Sequence, residues 1–238
     1  MCLNVKFYTK ASLSRDMSKR FDLVVFDMDG VLTTTRSSWS FIHEVLGVDN
    51  EESYQAFVNM EIDEPEFMRR DIALWKTIRP DITVNDIARI FRDLPLIGGI
   101  QETIVGLKYN NIKSVICSGG IDLAAKMIAN EFGFDDYVAD TLVSYPDGRL
   151  TGEGKMNVDL QDKGKNVRDF IEQFGTTPER CVSIGNSFTD IKMFQNTGTS
   201  IAFNPVDPYT EAAATNVMRS KNISDVLDII LFDIEDRN

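Results

Sequence analysis

Residues 21–35 read FDLVVFDMDGVLTTT, and the rest of the chain is organised around them. Phe21 to Phe26 form a mostly apolar run that ends abruptly in Asp27-Met28-Asp29-Gly30. A short apolar run closed by acidic residues and a glycine reads as a buried strand of a parallel sheet. Open α/β sheets bind ligands at the carboxyl ends of such strands. Side chains alternate along a strand, so Asp27 and Asp29 are expected to point the same way. Two carboxylates brought together repel unless a cation or a proton lies between them. Alone, the run could also be an acidic turn after a strand, and the remaining chain has to decide.

The chain has 238 residues, enough for one sizeable domain or a core with an insert. With 43% hydrophobic and 26% charged residues it can bury an ordinary core without staples. A formal net charge of −12 argues against nucleic acid and anionic membranes as partners. An anionic substrate would therefore need a local positive site made by a metal, a lysine or helix N-termini. Cys2, Cys117 and Cys181 are too few and too scattered for a disulfide framework or a zinc site. Cys117 and Cys181 sit in apolar runs and read as buried free thiols, which fits a reducing, cytoplasmic setting. No apolar stretch reaches the roughly 18 residues that span a bilayer, and no continuous apolar segment near the N-terminus suggests a signal peptide. Residues 1–20 read as an N-terminal extension: a tail, an added strand, or an over-long reading frame for which Met17 would be a plausible start.

After a small, hydroxyl-rich connector the pattern turns helical. Trp39, Ile42, Val45 and Leu46 predict an inward face on a helix that Gly47 stops. Further helices are expected over 51–61, over 64–78 with Pro65 in its first turn, and from Thr83 as N-cap with Ile87, Ile90 and Phe91 inward. Residues 36–95 thus predict a small helical bundle inserted after the first strand, with Trp39 and Trp75 in its core and His43 at its surface or in its packing. From Leu96 strands and helices alternate: a helix after Gly98-Gly99, a strand over 112–117, a helix over 122–132, and a hairpin around Pro146-Asp147-Gly148. Then follow a helix over 163–174, a strand over 181–184, a helix over 190–196, a strand over 200–203 and a last helix over 223–232. Such alternation predicts an α/β fold, a doubly wound parallel sheet covered on both faces. The core would comprise residues 21–35 and 96–238.

Three expected strands end in polar, glycine-marked turns: Asp27-Met-Asp-Gly, Ser118-Gly-Gly and Gly185-Asn-Ser. In a parallel sheet these ends share one edge. Ser118 offers a hydroxyl, and Gly119 and Gly120 let backbone N–H groups approach an anion at a helix N-terminus. Lys163 could supply a positive charge, with Lys165 a weaker rival, and Asp190 could reach back from four residues after Asn186. Carboxylates, a hydroxyl, a lysine and a helix N-terminus around one point suit phosphoryl transfer.

The sequence resembles the haloacid dehalogenase superfamily, in its branch similar to phosphoserine phosphatase. Asp27-Met-Asp-Gly-Val is similar to motif I, Val115-Ile-Cys-Ser118-Gly-Gly to motif II, Asp162-Lys163-Gly to motif III, and Ser183-Ile-Gly-Asn186-Ser-Phe-Thr-Asp190 to motif IV. The resemblance covers about residues 21–232. It implies that Asp27 is a nucleophile forming an aspartyl-phosphate, and that Asp29 is the general acid and then base. It further implies that Ser118 and Gly119 bind phosphate, that Lys163 neutralises the nucleophile and the phosphoryl group, and that the helical insert is a cap. Mg²⁺ would be held by Asp27, the Asp29 carbonyl and Asn186, with Asp190 able to compensate.

Two departures qualify this. Motif IV usually has Asp at the place of Asn186, so a metal site here would lack one negative charge. The Glu that holds the serine ammonium in phosphoserine phosphatases lies where Arg36 stands. If Phe67 matches their cap Phe, their carboxylate-binding Arg falls on Leu74. Arg36, with Arg69 and Arg70, predicts a more anionic leaving group, although a solvated helix face serves equally for the last two. The expectation is a Mg²⁺-dependent phosphatase acting on a small phosphorylated metabolite other than phosphoserine. Alternatives are a phosphotransferase or phosphomutase, or a phospho-ligand-binding protein with a weakened metal site.

Overall fold

The structure, a computed structural model, describes residues 20–231. The extension expected over 1–20 therefore lies outside the described residues but for Arg20, as does the end of the last predicted helix. Strand β1, Leu23–Phe26, is entirely buried and lies at the centre of a seven-stranded sheet. The other strands are β2 Lys113–Ile121, β3 Asp136–Ser144, β4 Leu150–Lys155, β5 Cys181–Gly185, β6 Thr199–Phe203 and β7 Asn216–Met218. Their order is β4-β3-β2-β1-β5-β6-β7, parallel except for the antiparallel pair β3–β4.

The alternation of β1 divides the core in two. Val24 and Phe26 face α5 (Ile100–Tyr109) and α6 (Asp122–Phe132). Leu23 and Val25 face α7 (Gly164–Gln173) and α8 (Ile191–Phe194). A four-residue run with both faces buried needs no polar alternation, so the expected doubly wound sheet is present. Cys117 and Cys181 are buried free thiols, as their apolar settings suggested. Among the described residues no helix is long and apolar enough to cross a membrane.

Between β1 and α5 lie α1 Ser38–Leu46, α2 Glu51–Val58, α3 Glu64–Ile78 and α4 Val84–Ile90. Ser37 caps α1 through a capping box, and Thr83 does the same for α4. Ile42, Ile72, Trp75, Ile82, Ile87 and Phe91 are buried and continue the core beneath α5 and α6 without a break. The connectors into and out of this segment pair with each other: Thr34 N–H donates to Pro95 C=O at 2.9 Å and Ile97 N–H to Leu32 C=O at 3.0 Å. At the far side the tip of the β3–β4 hairpin pairs with the chain between α3 and α4. Val84 N–H donates to Gly148 C=O and Leu150 N–H to Ile82 C=O, both at 2.9 Å. Lys76 adds a bond to the Leu150 carbonyl at 2.8 Å.

Several boundaries differ from the periodicity. In α1, Val45 is exposed and His43 is buried in its place. The reason is chemical: Trp75 Nε1 donates to His43 Nδ1 at 2.9 Å, and His43 Nε2 lies 3.2 Å from Asp71 Oδ2. A polar side chain enters the core when its partners are built there. Strand β2 runs through Ser118-Gly119-Gly120 to Ile121 instead of turning at Ser118. The helix expected over 190–196 is a short 3₁₀ turn, Phe188–Asp190, followed by α8. The last helix divides in the same way into Ile223–Val226 and α10, Leu227–Leu231. The short helix α9, Pro208–Ala213, and β7 carried too few apolar residues to be read from the sequence.

Trp75 is fully buried, stacks on Trp39 at 5.4 Å between ring centroids, and bonds His43. Trp75→Ala is expected to lower the unfolding free energy by about 3–5 kcal/mol, read from the shift in the urea midpoint. An unchanged midpoint would remove Trp75 from the centre of this packing.

Candidate active site

β1, β2 and β5 are neighbours, so their carboxyl ends bring residues 27–30, 118–121 and 185–187 together. The Asp27 N–H continues the β1–β5 ladder onto the Ile184 carbonyl at 2.8 Å, and the Asp27 side chain is buried. Lys163, at the N-terminal cap of α7, enters from the side. It is fully buried, and its ammonium donates to Asp27 Oδ1 at 2.9 Å and to Asp190 Oδ1 at 2.7 Å. Asp190 Oδ2 accepts the N–H groups of Asn186 and Ser187 at 2.8 and 3.1 Å. Asp190 thus has both oxygens engaged, and it fixes Lys163 to the turn after β5. Lys165, the weaker rival, is exposed two residues into α7.

Asp29 is held differently. Its Oδ2 accepts the Ser38 hydroxyl at 3.0 Å, while its buried Oδ1 has no hydrogen-bond partner among the described residues. The Ser118 hydroxyl, also buried, accepts the Gly120 N–H at 3.1 Å, which leaves its hydrogen free for an acceptor.

Glycines make room for these groups. A β-carbon on Gly30, whose φ is +77°, would lie 2.1 Å from Asn186 Nδ2. One on Gly120 would lie 2.5 Å from Asp29 Oδ2, and one on Gly185 2.4 Å from the Asp190 β-carbon. The Asn186 amide therefore lies against the backbone of the Asp29–Gly30 turn. The expected Mg²⁺ donors, Asp27, the Asp29 carbonyl and Asn186, consist of hard oxygens on two adjoining turns, which suits that ion.

Burial is the largest influence on the charges here. It pushes Asp27 up to about 7, with the Asp190 charge adding and Lys163 opposing. It raises Asp29 to about 6 against the Ser38 bonds. Burial alone would lower Lys163, but Asp190 and Asp27 hold its ammonium well above the usual range. Two carboxylates thus share one ammonium, with a third carboxylate, Asp29, close by.

The arginines expected to meet the substrate have partners of their own. Arg69 and Arg70 both bond Glu66 on α3, at 2.9 and 3.0 Å, and Arg69 also reaches Glu153. Arg36 is exposed, its guanidinium 4.7 Å from the centre of the Tyr54 ring. Phe67 stacks on Phe57 at 4.9 Å. Three residues were missed by the sequence reading: Ser38, Trp39 in its bonding role, and Glu64. Ser38 lies in a run of hydroxyl residues that looked like mere connector. Glu64, in the first turn of α3, is half-buried against the loop before Lys163. Burial raises it to about 7, with Asp140 adding and the Leu160 N–H opposing. Its place beside Pro65 suggested only a helix start.

A profile of haloacid dehalogenase-like hydrolases matches residues 24–195. The chain is 26% identical over 221 residues to a phosphoserine phosphatase of Methanocaldococcus jannaschii, covering 90% of this chain and 100% of that one. It is 28% identical over 212 residues to the phosphoserine phosphatase of Idiomarina loihiensis, covering 86% and 91%. Among solved structures, a phospho-aspartyl intermediate analogue of phosphoserine phosphatase superposes with a TM-score of 0.75 at 25% identity, over 89% of this chain and all of that one. A substrate-bound phosphoserine phosphatase complex gives 0.76 at 25% identity, over 89% and 99%.

Glu64 binds its proton more tightly folded than unfolded, so between about pH 4.5 and 7 the native state holds the extra proton and stability falls as pH rises. Glu64→Gln is expected to flatten that part of the stability curve, measured by urea denaturation at a series of pH values. A variant curve parallel to the wild-type curve would place the Glu64 carboxyl in water.

Proposed function

We propose, from the premise that the chain belongs to the haloacid dehalogenase-like hydrolase family and to its phosphoserine phosphatase-like branch, that it is a phosphoric monoester hydrolase working through an aspartyl-phosphate on Asp27. The observation that carries this reading is the buried Lys163 ammonium between Asp27 and Asp190, with Ser118, Asp29 and Asn186 on the adjoining strand ends.

In the first half-reaction an Asp27 oxygen bonds to phosphorus as the phosphorus–ester oxygen bond breaks. The bonding pair stays on the leaving oxygen, which takes a proton from Asp29. In the second, water bonds to phosphorus, gives its proton to Asp29, and the Asp27–phosphorus bond breaks to release phosphate. Lys163 holds Asp27 in place and offsets the charge of the approaching phosphoryl group. Ser118 and the N–H of Gly119 hold phosphoryl oxygens. Asp27, the Asp29 carbonyl and Asn186 would hold Mg²⁺, which when bound neutralises charge between the nucleophile and the phosphoryl oxygens. Asp190 keeps Lys163 in position and is not needed as a ligand. The helical segment, residues 36–95, is the cap that closes the core of residues 21–35 and 96–238 against water.

The substrate is a small phosphorylated metabolite, taken up without nucleic acid or membrane, and buried thiols suit a reducing cytoplasm. Arg36 at the place of an ammonium-binding Glu argues for a leaving group other than serine. Asp27, Asp29, Ser118 and Lys163 are all retained, which argues against a non-catalytic binding protein.

With a panel of phosphomonoesters that includes phosphoserine and an aryl phosphate, phosphate release is expected only with Mg²⁺ and should vanish in Asp27→Asn. Asn186→Asp is expected to lower the Mg²⁺ concentration for half-maximal rate on the order of tenfold. Release by Asp27→Asn at the wild-type rate would overturn the mechanism. Preference for phosphoserine would overturn the inference from Arg36 alone.

A further inference from the structure

The first turn of α1 touches the reactive strand ends, and the mechanism above gives it no task. Ser38 is fully buried. Its hydroxyl accepts the Ile121 N–H at 2.9 Å and lies 3.0 Å from Asp29 Oδ2. A backbone N–H can only donate, so the Ser38 hydrogen is left for the carboxylate. One residue on, the Trp39 indole N–H donates to the Gly119 carbonyl at 3.2 Å. That carbonyl shares a rigid peptide plane with the Gly120 N–H, which in turn donates to the Ser118 hydroxyl. The two serines are therefore used alike: a backbone N–H occupies the oxygen, and the hydroxyl hydrogen is directed outward.

The indole is itself held from behind. Trp39 stacks on Trp75, Trp75 bonds His43, His43 lies beside Asp71, and Asp71 Oδ1 accepts from Asn50 Nδ2 at 3.0 Å. Gly120, between the two gripped peptides, has no room for a side chain: a β-carbon there would lie 2.6 Å from Ser38 Oγ.

We propose that Ser38 and Trp39 are positioning residues of the reaction. Ser38 fixes the rotation of the Asp29 carboxylate by engaging Oδ2, leaving the unpartnered Oδ1 to exchange the proton. Trp39 fixes the peptide plane that aims the Ser118 hydroxyl at the phosphoryl group. The inference rests on the reading of Asp29 as acid and of Ser118 as phosphate holder. It adds that the competent geometry of both is supplied by the helical segment.

The test compares kcat/KM for an aryl phosphate, whose leaving group departs with little need of a proton, and for an alkyl phosphate, which needs one. Ser38→Ala is expected to lower the alkyl value by about tenfold to a hundredfold, and the aryl value by less than about threefold. Trp39→Phe keeps a ring against Trp75 and removes the N–H. It is expected to weaken binding of inorganic phosphate by about twofold to tenfold, and to lower both kcat/KM values by the same factor. Equal losses on the two substrates in Ser38→Ala, or no loss, would overturn the role of Ser38. Unchanged phosphate binding in Trp39→Phe would overturn that of Trp39. Should Ser38→Ala not melt cooperatively, Ser38→Cys, of nearly the same volume, takes the same comparison and the same expected selectivity. If the wild-type protein releases no phosphate from either ester, the phosphatase reading fails. Calorimetric titration of Trp39→Phe with inorganic phosphate then still decides whether Trp39 orders the loop.

Discussion

The structure turns on one buried ammonium. A buried lysine is tolerated in a protein interior only when its charge is met at close range. Lys163 is met twice, by Asp27 from the end of β1 and by Asp190 from the turn after β5. Asp190 passes the constraint on, since its second oxygen gathers the N–H groups of Asn186 and Ser187. The first turn of α7, the end of β1 and the end of β5 are therefore tied at one point, and the sheet order follows the same geometry. Burial drives the Asp27 carboxyl upward, and the Asp190 carboxylate on the same ammonium adds to it.

The four helices that follow β1 are joined to the sheet as parts of one interior. Ile42, Ile72, Trp75 and Phe91 share a continuous apolar cluster with Phe26, Ile116 and Ile104. Their connectors pair at Thr33 and Leu96, and the β3–β4 hairpin grips the chain again at Thr83 and Arg149. The consequence for chemistry is local. Ser38 and Trp39 stand in the first turn after the connector, where the backbone is held by both the capping box and the pairing behind it. Residues that must orient others are best placed on such short, doubly fixed elements.

Much of this was legible in the residues. The abrupt end of an apolar run in Asp27-Met28-Asp29-Gly30 marked a buried strand of a parallel sheet, because a strand buried on both faces drops alternation. The long helix α3 was bounded correctly over 64–78 because Pro65 in its first turn and a clean apolar face agree, and the structure adds Asp63 as its N-cap. The meeting of Asp27, Ser118, Lys163 and Asn186 followed from parallel topology and the family resemblance. What escaped were features decided by partners distant in sequence. His43 was left between surface and packing, and its bond from Trp75 and its place beside Asp71 decide for the packing. Ser38 looked like connector because its bonds go to Ile121 and Asp29. Gly119 and Gly120 suggested a turn, while the strand continues to Ile121, where the ladder to β3, irregular after Cys117, is taken up again. Periodicity reports which face is apolar; it does not report which polar groups have found each other.

Alanine is ordinarily the mildest of replacements, the side chain that adds least. Around this centre that ordering inverts. The space over Gly30 is filled by the Asn186 amide, that over Gly120 by Asp29 and Ser38, that over Gly185 by Asp190, and that over Gly119 by the Leu160 side chain. At each of these four positions a neighbouring group occupies the seat of a missing methyl. The information that specifies the centre is thus written partly in atoms that are not there. Drift that merely enlarges these four positions would erase the arrangement while leaving every polar residue in the sequence.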